Sequence, residues 1–311
     1  MNEKNKTAVT FFILKGFSDI PKLEAPISLL VLLIYLTTLV GNIVILLLIC
    51  LDSHLHTPMY FFLGNLSVLD ISYTTVTLHK SIDIFVTGHN EVSFIDCMAQ
   101  LYFFTWFSSN DLMLLTCMGY DRYVAICKPL HFSTLMNSRV CAGLAIFCWA
   151  FSLLHILPTA TLISQLSCYT SNIINHFFCD VLPLLEMSCS DTSIVEMVIF
   201  IDGGLLAMSA PFLLTFTSYV FIIATIMKIK SSTGRRKAFY TCSSHLTSVF
   251  ILYASIISQY LTPSGTFKSS KLLSLFNSAV VPMLNPLIYS LKNKDVKSAV
   301  QKKIKNFMSI I

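Results

Sequence analysis

The chain has 311 residues, of which 55% are hydrophobic and 12% charged, with a formal net charge of +5. Soluble domains carry about 25% charged residues, so this composition argues against a water-soluble domain and for a chain solvated mostly by lipid. The positive excess lies in loops that would face anionic lipid and partner surfaces, and it makes no case for a nucleic-acid partner.

Apolar runs long enough to cross a bilayer, about 20 residues each, occur at Pro26 to Cys50, Pro58 to Ile82, Met98 to Ile126, Val140 to Leu162, Val195 to Met227, Ala238 to Leu261 and Leu272 to Leu291. The expected fold is an all-α, seven-transmembrane helix bundle with its termini on opposite sides of the plasma membrane. Lys and Arg accumulate in cytoplasmic loops. Arg122, Lys128, Arg139, Lys228, Lys230, Arg235, Arg236, Lys237 and the tail lysines from Lys292 to Lys305 share one side, against Lys4, Lys6, Lys15, Lys22, Lys80, Lys268 and Lys271 on the other. The amino terminus is therefore expected outside. The chain divides into an extracellular segment (1–25), a membrane domain (26–291) and a cytoplasmic tail (292–311).

The first 24 residues are polar and lack the apolar core of a cleaved signal peptide, so span one is expected to direct its own insertion. Asn5-Lys6-Thr7 is a glycosylation acceptor on the outer side, whereas Asn65-Leu66-Ser67 lies inside a span and should stay unmodified. Pro58 opens span two, where its missing N–H does no harm.

Asp70 and Asp111 each place an acid deep in an apolar helix, where ionisation is costly unless compensated. Counted from Pro58, Asp70 is about 18 Å inward; counted from Arg122, Asp111 is about 16 Å inward. Two carboxylates at one level share a proton or hold a cation, and Asn42 and Asn285 reach the same layer. A sodium ion held by Asp70, Asp111 and Asn285 is one reading. The other is a pair of neutral acids hydrogen-bonded to neighbouring helices.

Phe104, Phe107, Ser108, Asp111, Leu115, Met118 and Arg122 recur at helical intervals on span three. This stripe is aromatic with a hydroxyl at its outer end, acidic in the middle and basic at the base. Asp121-Arg122, read alone, is an interface anchor. Cys97, Cys168, Cys179 and Cys189 fall outside, in an oxidising compartment, and allow three pairings. They and His176 lack the Cys-x-x-Cys spacing of a zinc site. His155 on span four reads as a packed side chain. On span six, Tyr253, Ile256, Ile257 and Tyr260 share a face by spacing. Pro211 interrupts span five, and Pro286 in span seven removes a backbone bond and creates a hinge. Val296, Val300, Ile304 and Phe307 space a tail helix for the membrane surface.

Five ordered strings carry a resemblance over nearly the whole chain: Leu55 to Leu63 continuing to Leu66-Ser67 and Asp70; Met118 to Cys127; Asn175 to Asp180 with Ser188 to Asp191; Lys237 to Leu246; and Pro282 to Leu291. Together they resemble the odorant receptors, a branch of the rhodopsin-like G-protein-coupled receptors. The resemblance implies binding without catalysis. A small volatile odorant would be held by Phe104, Phe107, Ser108, Gly203, Ala207, Tyr253, Ile256, Ile257, Tyr260 and Ser278. Asp121, Arg122, Tyr123, Tyr219 and Tyr289 would serve activation of a heterotrimeric G protein of the olfactory stimulatory type, raising cyclic AMP. It also implies the bridges Cys97–Cys179 and Cys168–Cys189, and a sodium ion as the one bound inorganic species. Three positions depart from the family pattern: Asp111 replaces the usual Glu, Tyr240 the usual Ser, and Cys168 precedes the usual cysteine position, now Tyr169. A transporter would need a polar track in repeated halves, and an enzyme a string such as His-Glu-x-x-His or Gly-x-Ser-x-Gly. The sequence contains neither.

Overall fold

The computed structural model describes residues 9–18, 21–166, 168–260, 267–291, 296 and 298–301. Seven helical spans follow one another. Span one is Pro21–Leu51, span two Pro58–Thr87 and span three Phe94–Cys127. Span four runs as Ser138–His155 and Leu157–Ser164. Span five runs as Ser193–Ile199, a π-helical stretch Phe200–Ser209 and Ala210–Met227. Span six is Ser232–Tyr260, and span seven joins Phe267–Leu275, the π-helical Phe276–Val280 and Val281–Leu291.

Local chemistry sets several helix ends. Span two starts with Pro58 after an extended Thr57 and stops at Gly88, whose φ of 74° is the left-handed conformation a glycine takes without strain. Span three is capped by Ser93, whose Oγ accepts from the Asp96 N–H at 3.1 Å. Asn137 caps span four by accepting from the N–H groups of Arg139 and Val140, both at 3.0 Å.

The bundle is solvated as a membrane protein should be. Leu29, Leu33, Leu36, Val40, Val44, Leu47 and Leu51 form one exposed stripe along span one, while Val31, Ile34, Thr38, Asn42, Ile45 and Leu48 form the buried one. An exposed stripe of that length would be unfavourable in water by about 1.5–3 kcal/mol per side chain, and is neutral against lipid. Spans one, four, five, six and seven are long and apolar enough to cross a membrane. Spans two and three carry more polar residues because other helices enclose them: span three packs against two, four, five and six.

The amino-terminal segment is more ordered than its polarity suggests. Its strand β1 (Phe11–Leu14) pairs antiparallel with β2 (Glu91–Ser93), Phe11 opposite Ser93, and parallel with β3 (Ile173–Ile174), Ile13 opposite Ile173. Alternation turns Phe12 and Leu14 inward, both fully buried, beside Val92, Cys97, Ile174 and Cys179. Beyond the strand, Phe17 stacks on Phe177 at 5.3 Å and the buried Lys271 donates to the Gly16 carbonyl at 2.9 Å. Span one consequently starts at Pro21, five residues before the apolar run at Pro26. At the other end, Val296 and Ala299 are buried against the bundle, with Val300 packed beside them. Ile304, Phe307 and Asn5 lie outside the described residues.

Candidate functional site

At the end of span three remote from Cys97, the Arg122 guanidinium folds back on its neighbour, Nε donating to Asp121 Oδ2 at 3.0 Å. Asp121 is fully buried and the Arg122 side chain 14% exposed, so the cation is paired and largely covered. The cover is apolar. Tyr219, Ile222, Ile226 and Cys242 form a cluster from spans five and six, with Tyr123, Ile126 and Cys127 of span three packed against it. One turn further into span six, the buried His245 joins three helices. Its Nδ1 meets the Tyr219 hydroxyl of span five at 2.8 Å, and its Nε2 donates to the Leu115 carbonyl of span three, also at 2.8 Å. The Nε2 contact is to a carbonyl, so that nitrogen carries the proton and Nδ1 accepts from Tyr219. Tyr289 is buried in span seven, and Tyr123 lies half-buried between Tyr120 and Phe221, both rings at 6.1 Å.

In the middle of the bundle, Asn285 donates its Nδ2 to both oxygens of the buried Asp70, at 3.1 and 3.2 Å. A Cβ on Gly41 would stand 3.1 Å from the Pro286 ring, so spans one and seven touch and Asn42 shares the layer of Asn285. Asp111 Oδ1 and Asn42 Oδ1 are buried without a hydrogen-bond partner among the described residues. Asp70, Asp111 and Asn42 are the oxygen donors of this layer that could hold a hard monovalent cation. Asn285 presents its nitrogen to Asp70 here, which makes it a support for the carboxylate; as an ion ligand it would have to turn its amide.

The outer stripe of span three divides in two. Phe104 packs against Tyr73 of span two at 5.5 Å and Phe178 of the loop at 4.9 Å, whereas Phe107 faces Trp106 at 5.0 Å and Trp149 of span four at 6.3 Å. The expected shared face fails here because a three-residue step falls about 60° short of a full turn. Ser108 is half-buried beside them. On span six, Tyr253 and Ile256 are buried and the Tyr253 hydroxyl donates to the Met208 carbonyl at 3.4 Å. Ile257 is 40% exposed, against 6% for Ile256, because one residue turns the side chain by about 100°, off the buried face. Ala207 and Ser278 are buried, Gly203 is exposed, and the Tyr260 side chain lies outside the described residues.

One polar chain is not announced by the sequence. Ser109 Oγ meets His155 Nε2 at 2.7 Å; His155 Nδ1 meets Asp202 Oδ1 at 3.0 Å; and Thr159 Oγ1 donates to Asp202 Oδ2 at 3.3 Å. His155 is thus part of a network joining spans three, four and five. The missed signal was Asp202 itself, an acid inside an apolar run, which by its cost marks a site.

Above the bundle, Cys97 and Cys179 are bridged, as are Cys168 and Cys189, with Cα separations of 5.4 and 5.3 Å. Gln100 holds the loop a second time, its Oε1 accepting from the Cys179 N–H at 2.9 Å. Burial, aided by the Lys271 cation, pushes the His176 imidazole down to about 3. Burial pushes the Asp180 carboxyl up to about 6, opposed by the Val181 N–H that it accepts.

Comparison with known proteins accords with this architecture. A family model described as "Olfactory receptor" matches residues 31–306. Human olfactory receptor 2AP1 is 43% identical over 99% of this chain and 100% of its own length. Human olfactory receptor 5B12 is 47% identical over 97% of this chain and 96% of its own, and mouse olfactory receptor 5AR1 is 44% identical over 98% of each. With seven membrane-spanning helices, two disulfides at one end of the bundle and full-length similarity of this degree, the chain belongs to the olfactory receptor family of multi-pass G-protein-coupled receptors.

Proposed function

We propose that the chain binds a small volatile odorant in the outer half of the bundle, between spans three, five and six, and activates a heterotrimeric G protein of the stimulatory type, raising cyclic AMP. The amino terminus and the disulfide-bonded loops face outward, the basic loops inward. The observation that carries this reading is the pairing and covering of Arg122 at the inner tip of the same helix whose outer half is aromatic. In the described conformation the Arg122 cation is satisfied by Asp121 and unavailable to a partner. An odorant with higher affinity for a form in which span six swings off span three would shift the population toward it and release Arg122. Asp70, Asp111 and Asn42 would hold a sodium ion in the conformation described here, adding a charge that neutralises the buried acids.

The test is a chemically diverse odorant panel on surface-expressed receptor, reading cyclic AMP and ion flux in the same cells. Odorant-dependent cyclic AMP without ion flux is expected; ion flux alone would overturn the reading. Arg122→Ala is expected to abolish the odorant response at unchanged surface density, and a preserved response would remove Arg122 from coupling.

A further inference from the structure

Span three is pinned to span four by side-chain contacts. The Tyr102 hydroxyl donates to the Leu153 carbonyl at 3.2 Å, Trp106 Nε1 donates to the Trp149 carbonyl at 3.2 Å, and Ser109 Oγ meets His155 Nε2 at 2.7 Å. Further along span three two thiols meet across the same interface, Cys117 Sγ lying 3.5 Å from Cys148 Sγ. Both are free thiols, Cys148 buried and Cys117 half-buried. Other free cysteines are differently placed. Cys141 donates to the Met136 carbonyl at 3.7 Å, Cys127 meets Thr225 Oγ1 at 3.2 Å, and Cys50 is exposed at the end of span one.

A disulfide holds its sulfurs about 2 Å apart, so this pair has about 1.5 Å to close, a distance that rotation of the two side chains can supply. The contacts of Tyr102, Trp106 and Ser109 fix the register of the two helices, which keeps the thiols together and makes a reaction between them intramolecular.

We infer that Cys117 and Cys148 form an oxidative modification site, a dithiol that a small uncharged hydroperoxide closes to a disulfide, clamping span three to span four. Cys117, the less covered of the two, reacts first. Its sulfur bonds to one peroxide oxygen as the O–O bond breaks, leaving a sulfenic acid and releasing water. The Cys148 sulfur then attacks the Cys117 sulfur: the S–S bond forms, the S–O bond breaks, and the departing hydroxide takes the Cys148 proton as a second water. The thiol pair loses two electrons and the peroxide gains them.

The test uses full-length receptor in membranes, with hydrogen peroxide as the probe. After treatment, remaining thiols are blocked with N-ethylmaleimide and the digest is read by mass spectrometry, with and without dithiothreitol. The wild type is expected to give two peptides joined through Cys117 and Cys148 that separate on reduction. Cys117→Ser and Cys148→Ser should each lose the joined pair, and Cys50→Ser should keep it. Oxidised wild-type receptor should also melt at a higher temperature than untreated receptor, because the bridge closes a loop across 31 residues, and this difference should vanish in both span variants. The peptide map of the wild type needs no variant, so a serine variant that fails to fold leaves the test intact. Both thiols recovered with maleimide after peroxide, either thiol oxidised without a bridge, or either bridged to a third cysteine would overturn the inference. A bridge that leaves the melting temperature unchanged would overturn the clamp.

Discussion

Replacing His245 by Phe tests the link among spans three, five and six. Phenylalanine keeps an aromatic ring of similar size, and with it the stacking on Tyr219 at 5.6 Å and an interplanar angle of 11°. What it removes are the two hydrogen bonds at 2.8 Å, to the Tyr219 hydroxyl and the Leu115 carbonyl. Each is worth about 0.5–1.5 kcal/mol net, so the described conformation loses about 1–3 kcal/mol relative to one in which span six has already left. That corresponds to a 5- to 150-fold shift in the equilibrium. If the open form makes up about 1% of resting receptor, it rises to between about 5% and 60%. The unmet Tyr219 hydroxyl in the closed form pushes the same way. The assay is cyclic AMP without odorant, normalised to surface receptor counted through an amino-terminal epitope, with Arg122→Ala added as a control for G-protein origin. Tyr219→Phe, which breaks one of the two bonds, should give a smaller rise. Resting cyclic AMP equal to wild type at matched surface density would refute the view that His245 holds span six in place.

In the loop between spans four and five, His176 and Asp180 should tilt stability against pH in opposite directions. His176 titrates at about 6.5 unfolded and about 3 folded, so the unfolded chain binds the extra proton between these values and acidification destabilises the fold. Asp180 titrates at about 3.8 unfolded and about 6 folded, so the fold binds the extra proton there and acidification stabilises it. Melting temperatures between pH 7 and pH 4 should therefore rise on acidification in His176→Gln and fall in Asp180→Asn; matching slopes would contradict the assignment. Gly41→Ala should lower thermal stability by about 1–3 kcal/mol, because the new Cβ would stand 3.1 Å from the rigid Pro286 ring, and a melting curve superimposable on wild type would refute that contact. Asp111→Asn should abolish the dependence of melting temperature on sodium, measured against potassium at constant ionic strength; a preserved dependence would remove Asp111 from the proposed cation site.

The spans were legible because a chain in lipid must bury or satisfy every polar group, which leaves long apolar runs punctuated at their ends. Pro58 at the head of span two and the buried pair Asp70 and Asn285 were readable on those grounds. Features that depend on two distant segments were not. Phe11 to Leu14 is a four-residue apolar island, too short to declare a strand until β2 and β3 are placed beside it. His155 looked like a packed histidine because its partners, Ser109 and Asp202, come from two other helices. The π-helical stretch at Phe200–Ser209 has the composition of the α-helix around it, so nothing in the residues announced it. Spacing along span six tolerates an error of one residue in assigning a face, whereas the helix does not, and Ile257 is 40% exposed beside the buried Ile256.

The position of β1 has a consequence for biogenesis. It is the middle strand, yet it is synthesised first, and its neighbours at Glu91–Ser93 and Ile173–Ile174 emerge only after two and four spans have been threaded. Until then the leading segment has no edge to join, and Phe12 and Leu14 remain uncovered. Closure of this end of the bundle is therefore a late event in manufacture, and a nascent receptor stalled before it would present those aromatic and aliphatic groups to the cell's quality-control machinery.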